Sequence, residues 1–271
     1  MTDLTISNIN SLEGRIILIT GATGHLGAPV AKAISALGGI PILCARKKEK
    51  LDLLSKEISE SGGQCLTIAF DVGDASACID AINQVQQTYK KLHGIVNCAY
   101  GGRPATIDAS TEHDFDLAFS QNIIGPFFLI KSSLTLLAAS AKDFEGGASV
   151  INIASMYGMV SPDPRIYGES GKNNPPYYGA AKAGLIQLTR YLSVHLGPQK
   201  IRVNSISPGP FPPESIRDTQ PDFHESLCNK TPLNRIGLPK ELVGPVIFLL
   251  SDASSYVTGV NLPVDGGWTA W

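Results

Sequence analysis

The sequence predicts a doubly wound α/β fold, with a mostly parallel seven-stranded sheet and helices on both faces. Short apolar runs rich in β-branched residues alternate with longer helix-period stretches, and no linker interrupts the series. The short runs are apolar on both alternating positions, which suits parallel strands covered on both faces by helices. We therefore expect a single domain over residues 1–271.

The predicted elements alternate in order along the chain. Strands are expected at residues 15–20, 40–45, 64–70, 94–97, 149–154, 202–206 and 260–264. Amphipathic stretches predict helices from residue 28 and at residues 51–61, 75–90, 123–141, 178–196 and 239–250. Two irregular stretches, 157–176 and 208–220, follow strands at the carboxyl edge, where such sheets bind ligands. We expect substrate loops at about 157–176 and 208–234.

The composition excludes several classes of protein. A hydrophobic content of 43% with 17% charged residues excludes disorder for the bulk of the chain. A net charge of -2 without charge blocks argues against a nucleic-acid partner. Residues 1–14 lack the basic and apolar regions of a signal peptide, and no apolar run approaches the length of a membrane span. The five cysteines form no CxxC pair, so we expect a cytoplasmic protein with reduced thiols and no metal site.

A glycine-rich turn follows the first predicted strand. The turn reads Thr20-Gly21-Ala22-Thr23-Gly24-His25-Leu26-Gly27 and leads into a helix. Glycines let the backbone approach a pyrophosphate, whose charge is favoured at a helix N-terminus. The spacing alone is also compatible with tight packing without a ligand, but its place in a strand-turn-helix unit favours a dinucleotide.

The second strand ends at Arg46, where an acidic residue would indicate NAD. A guanidinium here can pair with a 2′-phosphate, so we expect NADP, with NAD as the alternative. Otherwise Arg46, Lys47 and Lys48 are a solvated helix start. After the third strand, Asp71 and Val72 are expected at the adenine, unless Asp71 caps the next helix.

Tyr178 and Lys182 are four residues apart, on one face of a predicted helix. A neighbouring ammonium lowers the pKa of a tyrosine toward a value useful for proton transfer. Ser155 follows a strand, and its hydroxyl could hold a substrate carbonyl oxygen. Asn122 lies in an apolar helix, where its amide needs a polar partner such as an ordered water.

Together these motifs resemble the short-chain dehydrogenase/reductase family over nearly the whole chain. The resemblance also includes Asn97, Pro208-Gly209 and the closing Thr258-Gly259 to Val264-Asp265-Gly266-Gly267. It implies a Rossmann-type fold and a homodimer or homotetramer.

The resemblance assigns a role to each site residue. Tyr178 is the implied general acid in reduction, and Lys182 lowers its pKa and binds the nicotinamide ribose. Ser155 orients the carbonyl and Asn122 supports a proton-relay water. Asn97 stabilises the central sheet near the cofactor, and Pro208-Gly209 lies beside the nicotinamide carboxamide.

The sequence departs from the family pattern at several places. His25 occupies an expected glycine, and Gly24 stands one place earlier. The usual Asn-Asn-Ala-Gly reads Asn97-Cys98-Ala99-Tyr100, and proline replaces the threonine often found after Pro208-Gly209. The segment between Ser155 and Tyr178 is longer than usual, so we expect it to loop over the mouth of the active site.

The charged residues of this insertion are candidates for substrate selection. Arg165, Tyr167, Glu169 and Lys172, together with Arg103 after the fourth strand, can select a polar or anionic substrate, unless they are solvated or contact another subunit. The insertion and the ending Gly267-Trp268-Thr269-Ala270-Trp271 are similar to family members of bacterial surface-sugar and flagellin-modification pathways.

The sequence therefore predicts an oxidoreductase that moves a hydride between a nicotinamide cofactor and a carbonyl or secondary alcohol. The expected substrate is polar and sugar-like. The alternatives are a 3-oxoacyl-type reductase, a nucleotide-sugar epimerase or dehydratase, and a non-catalytic dinucleotide sensor.

Overall fold

The structure is a computed structural model that describes residues 9–271. Within that range seven strands form one parallel sheet in the order β3-β2-β1-β4-β5-β6-β7. They are β1 (Ile16–Thr20), β2 (Ile40–Ala45), β3 (Leu66–Ala69), β4 (Gly94–Asn97), β5 (Ala148–Ile153), β6 (Ile201–Pro208) and β7 (Asn261–Val264). The predicted fold class is confirmed, and each strand lies within two residues of its predicted bounds.

Helices cover both faces of the sheet. They are α1 (Gly27–Ala36), α2 (Lys48–Glu60), α3 (Ala75–Thr88), α4 (Glu112–Phe119), α5 (Gly125–Ser140), α6 (Pro176–Leu196), α7 (Ile216–Thr219), α8 (Pro221–Lys230) and α9 (Val243–Leu250). One apolar core lies between the sheet and helices α3, α5 and α6, and a second lies between the sheet and helices α1, α2 and α9.

Two features differ from the irregular stretch expected at 208–220. Strand β6 continues through Pro208, and helices α7 and α8 occupy much of the predicted substrate loop at 208–234. Pro221 begins α8, because a proline fits the first turn of a helix, where its missing N–H costs nothing.

Helices α4 and α5 form one continuous helical stretch, Glu112–Ser140, joined by a π-helical turn at Ser120–Ile124. Thr111 begins α4 with a capping box, in which the Asp114 side chain accepts from the Thr111 backbone N–H. This stretch is long and apolar enough to span a membrane, contrary to the sequence expectation, but it is a buried core helix of a soluble protein.

The insertion at 157–176 is compact. Its turns Met156–Gly158 and Pro164–Ser170 pack with α8 and Trp268 in a third apolar cluster. The sequence predicts that residues 1–14 do not form a signal peptide. Residues 1–8 of this segment lie outside the described range.

The order of the strands reverses between β1 and β4, where α1 and α4 leave the sheet on opposite faces. Such a switch point opens a crevice at the carboxyl ends of the strands. The glycine turn after β1 and the loops after β4, β5 and β6 therefore meet at one edge.

Candidate active site

A cavity of about 740 Å³ lies at this carboxyl edge, within the roughly 300–1,000 Å³ range of small-molecule sites. Most of the site residues predicted from sequence line it. They are Gly21, Thr23, Gly24, His25, Leu26, Gly27, Arg46, Asp71, Val72, Ser155, Tyr178, Lys182, Pro208 and Gly209. Asn97 and Asn122 are predicted site residues that do not line the cavity.

The glycine turn has the geometry of an anion site at the N-terminus of α1. Gly21 has a φ of 65°, and a Cβ there would approach the Ala99 Cα at 2.8 Å. No side chain caps α1 at Leu26, so the first N–H groups of the helix are free of side-chain acceptors. Free N–H groups and the helix dipole favour a bound pyrophosphate, so the turn fits a dinucleotide.

Arg46 and Asp71, the two charged residues expected at the adenosine part of the cofactor, both line the cavity, at the end away from Tyr178. An Arg46 Nη1 lies 3.9 Å from an Asp71 Oδ2; the Arg46 side chain is largely exposed and that of Asp71 is half-buried. Lys47 and Lys50 line the same end of the cavity. Asp71 accepts from the Gly73 N–H, whereas Asp74 caps α3, so the alternative in which Asp71 caps the helix is wrong.

Three polar side chains meet at the opposite end. Ser155 follows β5, and its Oγ accepts from the Tyr157 N–H at 3.1 Å and also pairs with the Tyr178 side chain. The Lys182 ammonium donates to the Ile153 carbonyl at 2.7 Å. Because Tyr178 and Lys182 lie one helical turn apart on α6, both face the end of β5.

The electrostatics of Tyr178 and Lys182 differ from the sequence expectation. Burial raises the pKa of the Tyr178 hydroxyl, and its bond to Ser155 opposes that rise. The Lys182 ammonium does not offset the burial, because it is bound to Ile153 and lies 5.8 Å from the centre of the Tyr178 ring. Burial also lowers the pKa of Lys182 to about 8, so the side chain is mostly charged at neutral pH.

Asn97 was expected at the cofactor but lies behind the cavity wall. Its Nδ2 donates to the Asn152 Oδ1 at 2.9 Å, and the Asn152 Nδ2 donates to the Thr189 Oγ1 at 2.9 Å. This chain of hydrogen bonds joins β4, β5 and α6. Asn97 therefore braces the elements that carry the site, and its side chain does not line the cavity.

Asn122 is buried in the π-helical turn between α4 and α5. Its Nδ2 donates to the Ala118 carbonyl at 2.8 Å, while its Oδ1 is buried without a protein partner. π-Helical turns occur often at functional sites. An unpaired buried carbonyl oxygen suits an ordered water, the partner expected from the sequence.

The charged residues expected to select the substrate do not line the cavity. Asp114 binds the Arg103 guanidinium through both carboxylate oxygens, at 2.9 and 2.7 Å. Asp163 holds Arg165 in the same way, and Glu169 and Lys172 are exposed. Carboxylates close in sequence bind the two arginines away from the cavity, which favours the alternative in which these residues are solvated or contact another subunit.

Sequence reasoning missed several residues that line the cavity near Tyr178. Tyr100 follows β4, Gln121 lies beside Asn122, and Phe211 and Pro213 follow β6. The altered motif Asn97-Cys98-Ala99-Tyr100 was the signal that could have identified Tyr100. Among residues 9–271, no group of three or more His, Cys, Asp or Glu side chains is placed to hold a metal ion.

A family model described as enoyl-(acyl carrier protein) reductase matches residues 21–269, most of the chain. The chain belongs to the short-chain dehydrogenase/reductase family. It is similar to the L-xylulose reductase of Caenorhabditis elegans, with 32% identity over 93% of this chain and 95% of the relative. It is also similar to the 3-oxoacyl-[acyl-carrier-protein] reductase FabG of Thermotoga maritima, with 31% identity over 94% and 98% of the two chains.

Solved structures of this family share the fold. A gluconate 5-dehydrogenase from Burkholderia cenocepacia, in complex with NADP and tartrate, has a TM-score of 0.87 and 27% identity over 98% of this chain and 100% of that one. A short-chain dehydrogenase from Leptospira borgpetersenii with bound NAD+ has a TM-score of 0.84 and 30% identity over 99% and 97% of the two chains. The chain is thus an oxidoreductase that acts on a CH–OH group with NAD or NADP.

Proposed function

We propose that the protein transfers a hydride between NADP and a small, polar, sugar-like carbonyl compound or its alcohol. The observation that carries this proposal is the single cavity that joins the anion-binding turn after β1 to Ser155, Tyr178 and Lys182. The cavity of about 740 Å³ lies within the size range of small-molecule sites. The similarity to L-xylulose reductase and gluconate 5-dehydrogenase supports a sugar-like compound.

The catalytic roles follow from the groups around the reacting carbonyl. The bound nicotinamide supplies the hydride in reduction and accepts it in oxidation. Tyr178 donates its hydroxyl proton to the carbonyl oxygen, and the Ser155 hydroxyl orients that oxygen by a hydrogen bond. Lys182 would hold the nicotinamide ribose through its ammonium, which is charged below about pH 8. Asn122 holds the water through which the Tyr178 phenolate recovers a proton.

The preference for NADP rests on Arg46. Its guanidinium lies at the adenosine end of the cavity with no hydrogen bond to Asp71, so its donors remain available to a 2′-phosphate. We expect Arg46→Ala to weaken NADPH binding by about 1.5–3 kcal/mol, the worth of a charged hydrogen bond, and to leave NADH binding nearly unchanged. Titrations of both cofactors test this, with Arg190→Ala on the exposed face of α6 as the control. Tighter binding of NADH than NADPH to the native protein would contradict the preference.

The substrate class is tested by comparing rates on carbonyl compounds of different shape. Keto-sugars such as L-xylulose and long-chain 3-oxoacyl thioesters are offered with NADPH, and the loss of reduced nicotinamide is followed by absorbance. We expect a higher kcat/KM for the keto-sugars. Efficient turnover of the thioesters alone would instead favour an acyl reductase, the activity in the name of the Thermotoga relative.

Neither relative named above belongs by name to a surface-sugar or flagellin pathway, so that narrower resemblance carries no part of the proposal.

We also propose a cytoplasmic homodimer or homotetramer. All five cysteines are free, as in a reducing compartment. Large apolar side chains are exposed on the long helices, namely Phe115, Leu117, Ile124, Tyr191 and Val194. Light scattering measures the assembly, and a monomer would contradict it.

A further inference from the structure

A second tyrosine, Tyr100, lies against the catalytic end of the cavity. Its ring centroid is 5.0 Å from that of Tyr178, and the two ring planes meet at 78°, an edge-to-face contact. The Lys182 Nζ lies 6.0 Å from the Tyr100 centroid and 5.8 Å from the Tyr178 centroid. Tyr100 is 48% exposed, so one side of its ring packs on Tyr178 and the other is open to the cavity.

The backbone holds Tyr100 in place from both sides. The Cys98 and Ala99 N–H groups donate to the Thr20 Oγ1 at 3.1 and 3.2 Å. Beyond Tyr100, the Tyr177 hydroxyl donates to the Arg103 carbonyl at 2.5 Å, and Asp114 binds the Arg103 guanidinium. These bonds hold the backbone on both sides of Tyr100, at Ala99 and at Arg103.

The residues after Tyr100 leave room for its ring in this position. A Cβ at Gly102 would approach the Tyr100 hydroxyl oxygen at 2.6 Å, and a Cβ at Gly101 would clash with the Gln121 amide. Two consecutive glycines therefore allow the ring and Gln121 to pack closely at the end of the cavity. The Tyr100 ring therefore forms part of the cavity wall.

Tyr100 contributes shape rather than proton transfer. Burial raises the pKa of its hydroxyl, so the side chain stays neutral at any pH at which the protein works. A substrate carbonyl must come within hydrogen-bond reach of the Tyr178 hydroxyl and Ser155, close beside the Tyr100 ring. Groups attached to that carbonyl therefore have to pass the Tyr100 ring.

We propose that Tyr100 is a specificity-determining residue, whose ring admits narrow, flexible carbonyl compounds and excludes rigid fused-ring ketones. The proposal rests on the function proposed above and names the residue that enforces its substrate class. The ring offers a narrow polyol an apolar face to pack on. It gives a fused-ring ketone a clash that the fixed loop cannot relieve.

The test compares Tyr100→Ala and Tyr100→Phe with the native protein on two probes, L-xylulose and a 7-oxo steroid. Tyr100→Ala is expected to raise kcat/KM for the steroid relative to L-xylulose by about tenfold or more, the scale set by shape discrimination in a pocket. Tyr100→Phe keeps the ring and should restore the native ratio. Tyr256→Ala, which removes a fully exposed tyrosine, is the matched control.

The dissociation constants of both probes are measured in parallel on the NADPH complexes, by the change in nicotinamide fluorescence. Size discrimination is then measured even where a probe is bound but not reduced. A steroid that neither binds nor reacts better with Tyr100→Ala than with the native protein overturns the proposal. Failure of the native protein to bind or reduce L-xylulose and other keto-sugars counts against the proposed function instead, so the two failures are distinct.

Discussion

Lys182 shows how the site sets the properties of one residue. Its side chain is 4% exposed and has one hydrogen-bond acceptor, the Ile153 carbonyl. A buried ammonium without a carboxylate partner is destabilised, and its pKa falls to about 8. This cost is consistent with the proposed role of Lys182 at the cofactor ribose.

This burial predicts a pH dependence of stability. Between about pH 8 and the ordinary lysine value of about 10.5, unfolded chains bind more protons at Lys182 than folded ones, so the free energy of unfolding rises with pH. The rise amounts to about 3 kcal/mol across that window. Urea titrations of the cofactor-free protein at several pH values should show that Lys182→Met lacks this rise. The exposed Lys32→Met is the control, and equal slopes in the native and Lys182→Met proteins would refute the pKa shift.

Site residues that belong to a sequence motif were predicted from the sequence. Residues that reach the cavity only through the fold were missed. The glycine turn, Ser155, Tyr178 and Lys182 line the cavity because their spacing is fixed by strand ends and helix turns. The pairing of the Arg103 guanidinium with Asp114 could not be predicted, because charge alone does not reveal which carboxylate the fold brings to an arginine. Tyr100 was visible only as a departure from the family motif.

An aromatic cluster lies beside Tyr178, between the insertion and the C-terminal segment. Tyr157 packs edge-on against Trp268 with ring centroids 6.4 Å apart, and Tyr167 lies 5.5 Å from Phe223 of α8. The cluster thus ties the insertion, α8 and the C-terminal segment into one unit beside Tyr178. Its stability comes from buried rings, while the charged residues of the insertion face solvent.

The two tryptophans provide a matched test of this cluster. Trp268 is 3% exposed, whereas Trp271 is 74% exposed and packs near Lys230. We expect Trp268→Ala to lower the free energy of unfolding by about 3–5 kcal/mol, because it leaves a large cavity among the rings. Trp271→Ala should cost less than about 1 kcal/mol. Similar losses in the two variants, measured by urea unfolding, would show that the cluster does not depend on Trp268.

The predicted elements were those with a strong apolar period. Strands buried on both faces were identified within two residues, because each is a short apolar run bounded by polar or glycine residues. Helix α8 was missed because Pro221–Lys230 is largely polar and only Leu227 is fully buried. The π-helical turn at Ser120–Ile124 was not predicted, although Pro126, which lacks an N–H, follows it at the start of α5.

The candidate active site and a buried ion pair lie at opposite edges of the sheet. The cavity lies at the carboxyl ends of the strands, while Arg15, just before β1, is buried at the amino ends. An Arg15 Nη2 lies 2.6 Å from an Asp252 Oδ1, which also accepts from the Gly146 N–H. The guanidinium stacks over the Phe144 ring, 3.9 Å from its centre.

This separation predicts a variant that loses stability without losing substrate affinity. Asp252→Asn leaves the Arg15 charge buried without a counterion, so the free energy of unfolding should fall by about 3–5 kcal/mol. KM for the substrate should not change while the protein is folded. Glu57→Gln removes the exposed partner of Lys32 and should cost at most about 1 kcal/mol. A raised KM in Asp252→Asn would mean that the two edges are coupled.

The proposed reaction depends most on Tyr178 as the group that gives and takes the proton beside a bound nicotinamide. Tyr178→Phe removes only the hydroxyl, so the ring packing against Tyr100 and the cofactor cavity should persist. The most direct measurement is kcat for carbonyl reduction by this variant, together with its Kd for NADPH. We expect kcat to fall by roughly 10²–10⁴-fold, the usual worth of a general acid, with little change in Kd. A Tyr178→Phe protein with near-native kcat would contradict the mechanism.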